Sequence, residues 1–248
     1  METNKKSKGK LKLFLFSLLS VFLFFLLAAQ ISVAQPTGLE IQSGVTESRS
    51  DVSPDSRTDS GGTINTILVD VVQQNPRWKA YVGNLTGVLT LDDESGQSIF
   101  RWELEDEDVT GNVFISRSDS INWSDIDCPA DIDIENEDSS LGFSSTSADS
   151  VNRTFSEETH PTISIGLTNI DENTCRSTST FVSNNPQDHN NADFPLILLA
   201  SGSDLVYATP INKGTQSYNT GSLVDFQSIV PDQVVGTSTY YFYAEIGA

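Results

Sequence analysis

The feature that most constrains this chain is a two-residue period. After Thr63, apolar and polar residues alternate in short runs separated by Gly, Pro, Asn and Asp. Successive side chains of a strand point to opposite faces, so such runs form strands with one dry and one wet face. Leu85, Leu89 and Leu91 alternate with Thr86, Thr90 and Asp92. Asp93-Glu94-Ser95-Gly96 reads as a turn, after which Phe100, Trp102 and Leu104 alternate with Arg101, Glu103 and Glu105. Asp108-Val109-Thr110-Gly111 turns the chain again before Val113-Phe114-Ile115. The pattern predicts a three-stranded antiparallel meander with Trp102 in the core. Ile64, Ile67, Val69 and Val71 begin the strand-rich region. Strand texture returns at 162–168, 178–182, 194–200, 205–208, 222–229 and 237–246. In the last run Tyr240, Phe242 and Ala244 share one face, and Tyr241, Tyr243 and Glu245 the other. No window of ten or more residues here carries a convincing helical period, and residues 118–161 read as a long polar excursion. The expected fold is all-β, a single antiparallel β-sandwich over residues 63–248, Ig-like or jelly-roll-like.

What precedes that region fixes its compartment. Lys5, Lys6, Lys8, Lys10 and Lys12 lead into an almost unbroken apolar run from Leu13 to Ala29, and Ser32-Val33-Ala34 is a small-x-small site. This is the order of a secretory signal, cleaved after Ala34. The 17-residue run is long for a cleaved signal and short for a membrane span, so the uncut alternative is an anchor helix. Lys10 and Lys12 interrupt the place where a prepilin cleavage pattern would sit. Residues 35–62 are rich in Ser, Thr, Asp and Gly and cannot bury enough apolar surface to offset their ordering entropy. They read as a flexible tether. The expected setting is extracellular or at the cell surface, with membrane contact only through an uncleaved leader.

Charge narrows the partners. The chain carries 14 basic and 34 acidic side chains; without the leader, which holds five lysines and Glu2, 9 and 33 remain, a net charge of −24. Nucleic acid and anionic lipid repel such a surface. Solubility, high salt or bound divalent cations each account for it.

Cys128 and Cys175 are the only cysteines, and an even pair in an exported chain reads as a disulfide. Asn84-Leu-Thr86, Asn122-Trp-Ser124 and Asn152-Arg-Thr154 are glycosylation sequons. Asn122 and Asn152, in the polar excursion, are the better acceptors, and Asn84 falls within an expected strand. Asp125, Asp127, Asp131, Asp133 and Glu135 form an acidic run that could hold Ca²⁺ in a bent loop or simply be a solvated face. Asp106-x-Asp108-x-Thr110-Gly111-Asn112 resembles half of a calcium loop, but Arg117 stands where a bidentate Glu is needed.

Catalytic patterns are thin. His160 and His189 are the only histidines, and there is no G-x-S-x-G elbow or H-E-x-x-H pair. Two carboxylates suffice for a glycosidase, yet their spacing in space cannot be read from sequence. Trp78, Tyr81, Trp102, Trp123, Tyr241 and Tyr243 could stack on sugar rings, or serve as core and cross-strand pairs.

The segment Trp78-Lys-Ala-Tyr-Val-Gly-Asn-Leu-Thr-Gly-Val-Leu-Thr-Leu-Asp-Asp93 resembles the opening of a group of secreted archaeal proteins. Ile121-Asn-Trp-Ser124, Asp225-Phe-Gln-Ser-Ile-Val-Pro231 and Thr239-Tyr-Tyr-Phe-Tyr243 are similar too. The resemblance implies export, one β-domain and a cell-envelope setting; it transfers no activity and no site. The expected role is a non-catalytic surface β-sandwich with a structural or interaction function, as in a surface layer or filament. It needs no cofactor beyond possible Ca²⁺, and its partners are other surface proteins or copies of itself. A carbohydrate-binding module is the alternative, and an exported hydrolase a more distant one.

Overall fold

The computed structural model describes residues 35–50, 53–54, 56–69, 71–102, 109–144, 146–233 and 235–247. The leader with its Ala34 cleavage site lies outside the described residues, as do Asp106 and Asp108 of the half calcium loop. Residues Gln35–Ala248 form one compact unit. Its first strands are β1 (Thr37–Gly38), β2 (Trp78–Gly83), β3 (Leu89–Asp92), β4 (Ser98–Trp102), β5 (Thr110–Ser116) and β6 (Ile126–Asp127). Two helices follow, α1 (Asp131–Leu141) and α2 (Val151–Thr154), then β7 (Ile163–Ile165), β8 (Thr168–Ile170) and β9 (Ser177–Ser179). The chain closes with β10 (Pro195–Ser201), β11 (Asp204–Pro210), β12 (Thr215–Gln216), β13 (Leu223–Val224), β14 (Phe226–Pro231) and β15 (Tyr241–Gly247).

The fold is all-β and antiparallel. Its centre is a seven-stranded sheet in the order β1-β15-β5-β11-β10-β6, with β9 also on the β10 edge. The core of that sheet reads PLILLAS in β10 and DLVYATP in β11, near-continuous apolar runs rather than alternating ones. A strand reads that way when both of its faces are covered. One face presents Val113, Ile115, Leu196, Leu198, Leu205 and Tyr207, covered by Ile134 of α1, Val151 of α2 and Val230 of β14. The other presents Phe114, Ile197, Leu199, Val206 and Ala208, covered by Trp123, Ile126 and the β7–β8 hairpin residues Ile163, Ile165 and Ile170. Each fully buried aliphatic or Phe side chain contributes about 1.5–3 kcal/mol. The second layer is thus assembled from the β2–β14 pair, the β7–β8 hairpin and two helices rather than from one facing sheet.

Two glycines fix the strand geometry. Gly202 (φ 61°) lies in the two-residue turn between paired Ser201 and Asp204. Gly111 (φ 121°) lets β5 cross β15, where a Cβ would come within 2.0 Å of the Glu245 carbonyl oxygen.

Four expectations need correction. The meander does not form: β5 pairs with β11 and β15, while β3 and β4 make a separate two-stranded hairpin. Trp102 on that hairpin is exposed, not core. The described residues of 64–72 form no strand. The tether is pinned at its start, since β1 adds to β15, Pro36 is buried and the Leu39 N–H donates to the Phe242 carbonyl at 2.9 Å.

The polar excursion, in turn, contains helix α1. Its buried positions are Ile134, Glu137, Asp138 and Leu141, a full i, i+3, i+4, i+7 stripe. Two of the four are carboxylates, so the inward face is invisible to a hydrophobic count. Asp131 and Asp133 sit in its first turn, where acidic groups favour the helix dipole, and the Ala130 N–H donates to Asp133 at 3.1 Å. Gly142 in the left-handed conformation (φ 77°) ends it. Asp138 then reaches across to accept from the Val151 and Asn152 N–H groups that begin α2, at 2.7 and 3.3 Å. Burial pushes the Asp138 carboxyl above the usual range, against those two hydrogen bonds.

Candidate functional site

Three clefts and one uncovered surface are candidates. The first cleft, of about 240 Å³, lies between the end of β5, α1 and the β10–β11 turn. At its floor Glu137 of α1 receives both arms of Arg117, with Nε at 3.0 Å. Arg117 also donates to Ser140 Oγ at 2.7 Å. Beneath them the wholly buried Tyr207 hydroxyl donates to Glu137 Oε1 at 3.4 Å. Burial and the neighbouring Glu137 charge drive the Tyr207 phenol well above its ordinary value, and Tyr240 is pushed up for the same reasons. For Arg117, burial opposes the charge, but the Glu137 hydrogen bond and charge outweigh it and raise its pKa. The arrangement locks α1 to the sheet, and the exposed Asp204 also lines the cleft.

The second cleft, of about 530 Å³, is lined by Asn84, Leu85, Thr86, Lys213, Gly214, Leu223 and Asp225. Asp225, just before β14, accepts from Lys213 Nζ (2.8 Å), the Leu85 N–H (2.7 Å) and the Gly214 N–H (3.0 Å). Burial would raise its pKa, but these three donors lower it on balance. Lys213 also donates to the Leu85 carbonyl at 2.7 Å. Lys79, the other lysine of the β-domain, is engaged in the same way by Asp232 at 3.0 Å.

The third cleft, of about 310 Å³, brings together the only two histidines, which sequence spacing did not suggest. His160 is buried, and its Nε2 accepts from the Thr174 and Cys175 N–H groups at 3.1 and 2.9 Å. Its Nδ1 is therefore the protonated nitrogen, 2.8 Å from the Pro161 carbonyl. His160 clamps the loop that carries Cys175. His189 Nδ1 lies 3.0 Å from Ser179 Oγ, a serine–histidine contact for which no carboxylate hydrogen bond orients the imidazole among the described residues.

The sequence-predicted residues separate into distinct places. Cys128 and Cys175 form the disulfide, joining the loop before α1 to the segment before β9. Asp131 pairs with Arg176 at 2.6 Å and Asp133 caps the helix, while Asp125 precedes β6 and Asp127 accepts the Cys128 N–H at 2.8 Å. They face different partners, and among the described residues no group of three or more His, Cys, Asp or Glu is placed to hold a metal ion. Asn122 is exposed. Asn84 is exposed too, in the loop after β2 rather than in a strand. Asn152 is the half-buried one, inside α2 and hydrogen-bonded by Arg176 at 2.8 Å. Among the aromatics, Trp123 is buried between Phe114 (5.1 Å) and Tyr243 (5.2 Å). Tyr81 packs edge-on against Phe242 at 4.9 Å, and the Trp78 indole donates to the Asp149 carbonyl at 2.8 Å. Trp102 and Tyr241 are the two candidates left exposed.

The uncovered surface is the β3–β4 hairpin. Cross-strand register places Leu89 opposite Trp102 and Leu91 opposite Phe100, so the four share one face. Phe100 and Trp102 pack edge-on at 5.0 Å and are 55% and 46% exposed. A two-stranded hairpin is marginal alone in water, and its apolar face needs a cover. Comparison of the chain with family models, curated proteins and solved structures gives no match.

Proposed function

We propose that this chain is an exported, non-catalytic β-domain of the cell surface or extracellular space that acts by associating with other surface proteins, first of all with copies of itself. The observation that carries the reading is the amphipathic β3–β4 hairpin, whose apolar face is exposed. A net charge of −24 outside the leader keeps unrelated copies apart, so attachment has to run through uncharged patches of this kind. The leader and the resemblance to secreted archaeal proteins support the setting, and the disulfide fits an oxidising compartment. The exposed Asn84 and Asn122 are then the sequons open to glycosylation. Size-exclusion chromatography with light scattering on residues 35–248, across salt and with and without Ca²⁺, tests the reading. Concentration-dependent oligomers are the expected result, and a strict monomer throughout overturns it. A second reading, sugar binding, draws on the exposed Trp102–Phe100 pair, since an open aromatic face also stacks on pyranose rings. A glycan array without hits removes it.

A further inference from the structure

The described part of residues 64–72 is a second unpartnered element, chemically matched to the first. Ile64, Ile67, Leu68, Val69, Val71 and Val72 are all mostly exposed, Ile64 and Leu68 completely so. Nine residues so rich in β-branched side chains have the composition of a strand, and yet the described ones join no sheet. From Ser60 to Val69 the sequence carries no charge, in a domain with 33 acidic groups. The hairpin offers what this segment lacks. Both of its outer edges are unpaired among the described strands, and its apolar face continues the same β-rich chemistry.

Within one chain the two elements leave β2 from opposite ends. The segment enters at Trp78 and the hairpin departs after Gly83, separated by a six-residue strand about 20 Å long. They do not pair with each other there. From these facts we infer that residues 64–72 of one copy add as a third strand to the β3–β4 hairpin of a second copy. This inference rests on the self-association proposed above and names its contact. Main-chain hydrogen bonds along the hairpin edge would hold the strand, and Ile67, Val69 and Val71 would extend the apolar face formed by Leu91, Phe100 and Trp102. Donor and acceptor are different surfaces of the same chain, so the contact is heterologous and propagates unless it closes into a ring.

The test uses residues 35–248, which hold the whole described core and the disulfide, in three forms. Val69→Pro removes a strand N–H in the donor while leaving the described core untouched; Phe100→Asp places a charge on the acceptor face. By light scattering the parent is expected to form open-ended oligomers. Each variant alone should associate about tenfold more weakly or worse. Mixed, they should form a 1:1 dimer and stop, because the mixture holds one intact donor and one intact acceptor per pair. Oligomers of the parent that survive unchanged in Val69→Pro, or variants that do not complement on mixing, overturn this contact while leaving self-association standing. A parent that stays monomeric overturns both.

Discussion

Replacing Glu137 by Gln isolates the charge that joins α1 to the sheet. The side chain keeps its size, and Gln Oε1 can still accept from the Tyr207 hydroxyl, so the loss is confined to the pair with Arg117. Breaking a fully buried ion pair costs about 3–5 kcal/mol, whereas exposed pairs contribute about 0–1. Glu137 is only 9% exposed, but Arg117 is 31% exposed and regains some hydration when abandoned. The expected cost is therefore about 2–3 kcal/mol. Glu137→Leu should cost more, not less. It removes the last acceptor for the buried Tyr207 hydroxyl and adds a desolvation penalty of about 1–3 kcal/mol. Urea unfolding of residues 35–248 with the disulfide intact reads both values as midpoint shifts at unchanged m. Glu137→Gln within about 0.5 kcal/mol of the parent, or Glu137→Leu as stable as the parent, would refute the claim that this polar cluster holds the helix.

Asp225→Asn should lose about 3–4 kcal/mol, because Lys213 is left buried without its anion and one backbone donor meets an amide instead of a carboxylate. Its pH signature has a definite sign. The folded carboxyl titrates below the unfolded value of about 3.9, so its contribution is complete above about pH 4 and fades as pH falls through the folded pKa. Asp232 and Asp149, also lowered, act in the same direction. Asp138 and Glu245, raised by burial, oppose them, gaining stability as pH falls. Acid unfolding curves of parent and Asp225→Asn should draw together as pH falls through the lowered folded pKa of Asp225; a constant gap across the range contradicts the assignment. Cys128→Ser with Cys175→Ser opens a loop closed over a 47-residue separation and should cost about 4 kcal/mol, or roughly 10 °C in Tm by calorimetry. A change under about 2 °C would show that the loop is held by packing alone.

Legibility in the sequence followed from where each side chain's energy lies. Strands β10, β11 and β15 could be read because their apolar side chains are what they bury, and the two faces of β15 separate as its alternation predicts, with Phe242 opposite Ile115 and Tyr243 opposite Phe114. The disulfide was legible by counting. Helix α1 was not, because Glu137 and Asp138 occupy half of its inward stripe. Their burial is compensated by Arg117 and by the start of α2, which lie 20 and 13 residues away and leave no local pattern. A spacing test that admits acidic residues when a distant arginine is available would have found it. The histidine cleft was hidden for the same reason, since His160 and His189 meet only through the loops around β7, β8 and β9.

The meander failed in a more informative way. Its alternation is real, and β3 and β4 do form with Leu91, Phe100 and Trp102 on one face. What the pattern cannot say is whose core that face joins. Alternation records that a face needs an apolar cover; it does not record that the cover belongs to the same chain. The central sheet already has both faces filled, by α1, α2 and β14 on one side and by β7, β8 and Trp123 on the other. The hairpin's dry face therefore has no place left in the core its own sequence predicted for it. The described residues of 64–72 stand in the same position, with strand chemistry and no sheet to join. Under the self-association proposed above, two strand-like elements left over from one filled core cover each other between copies.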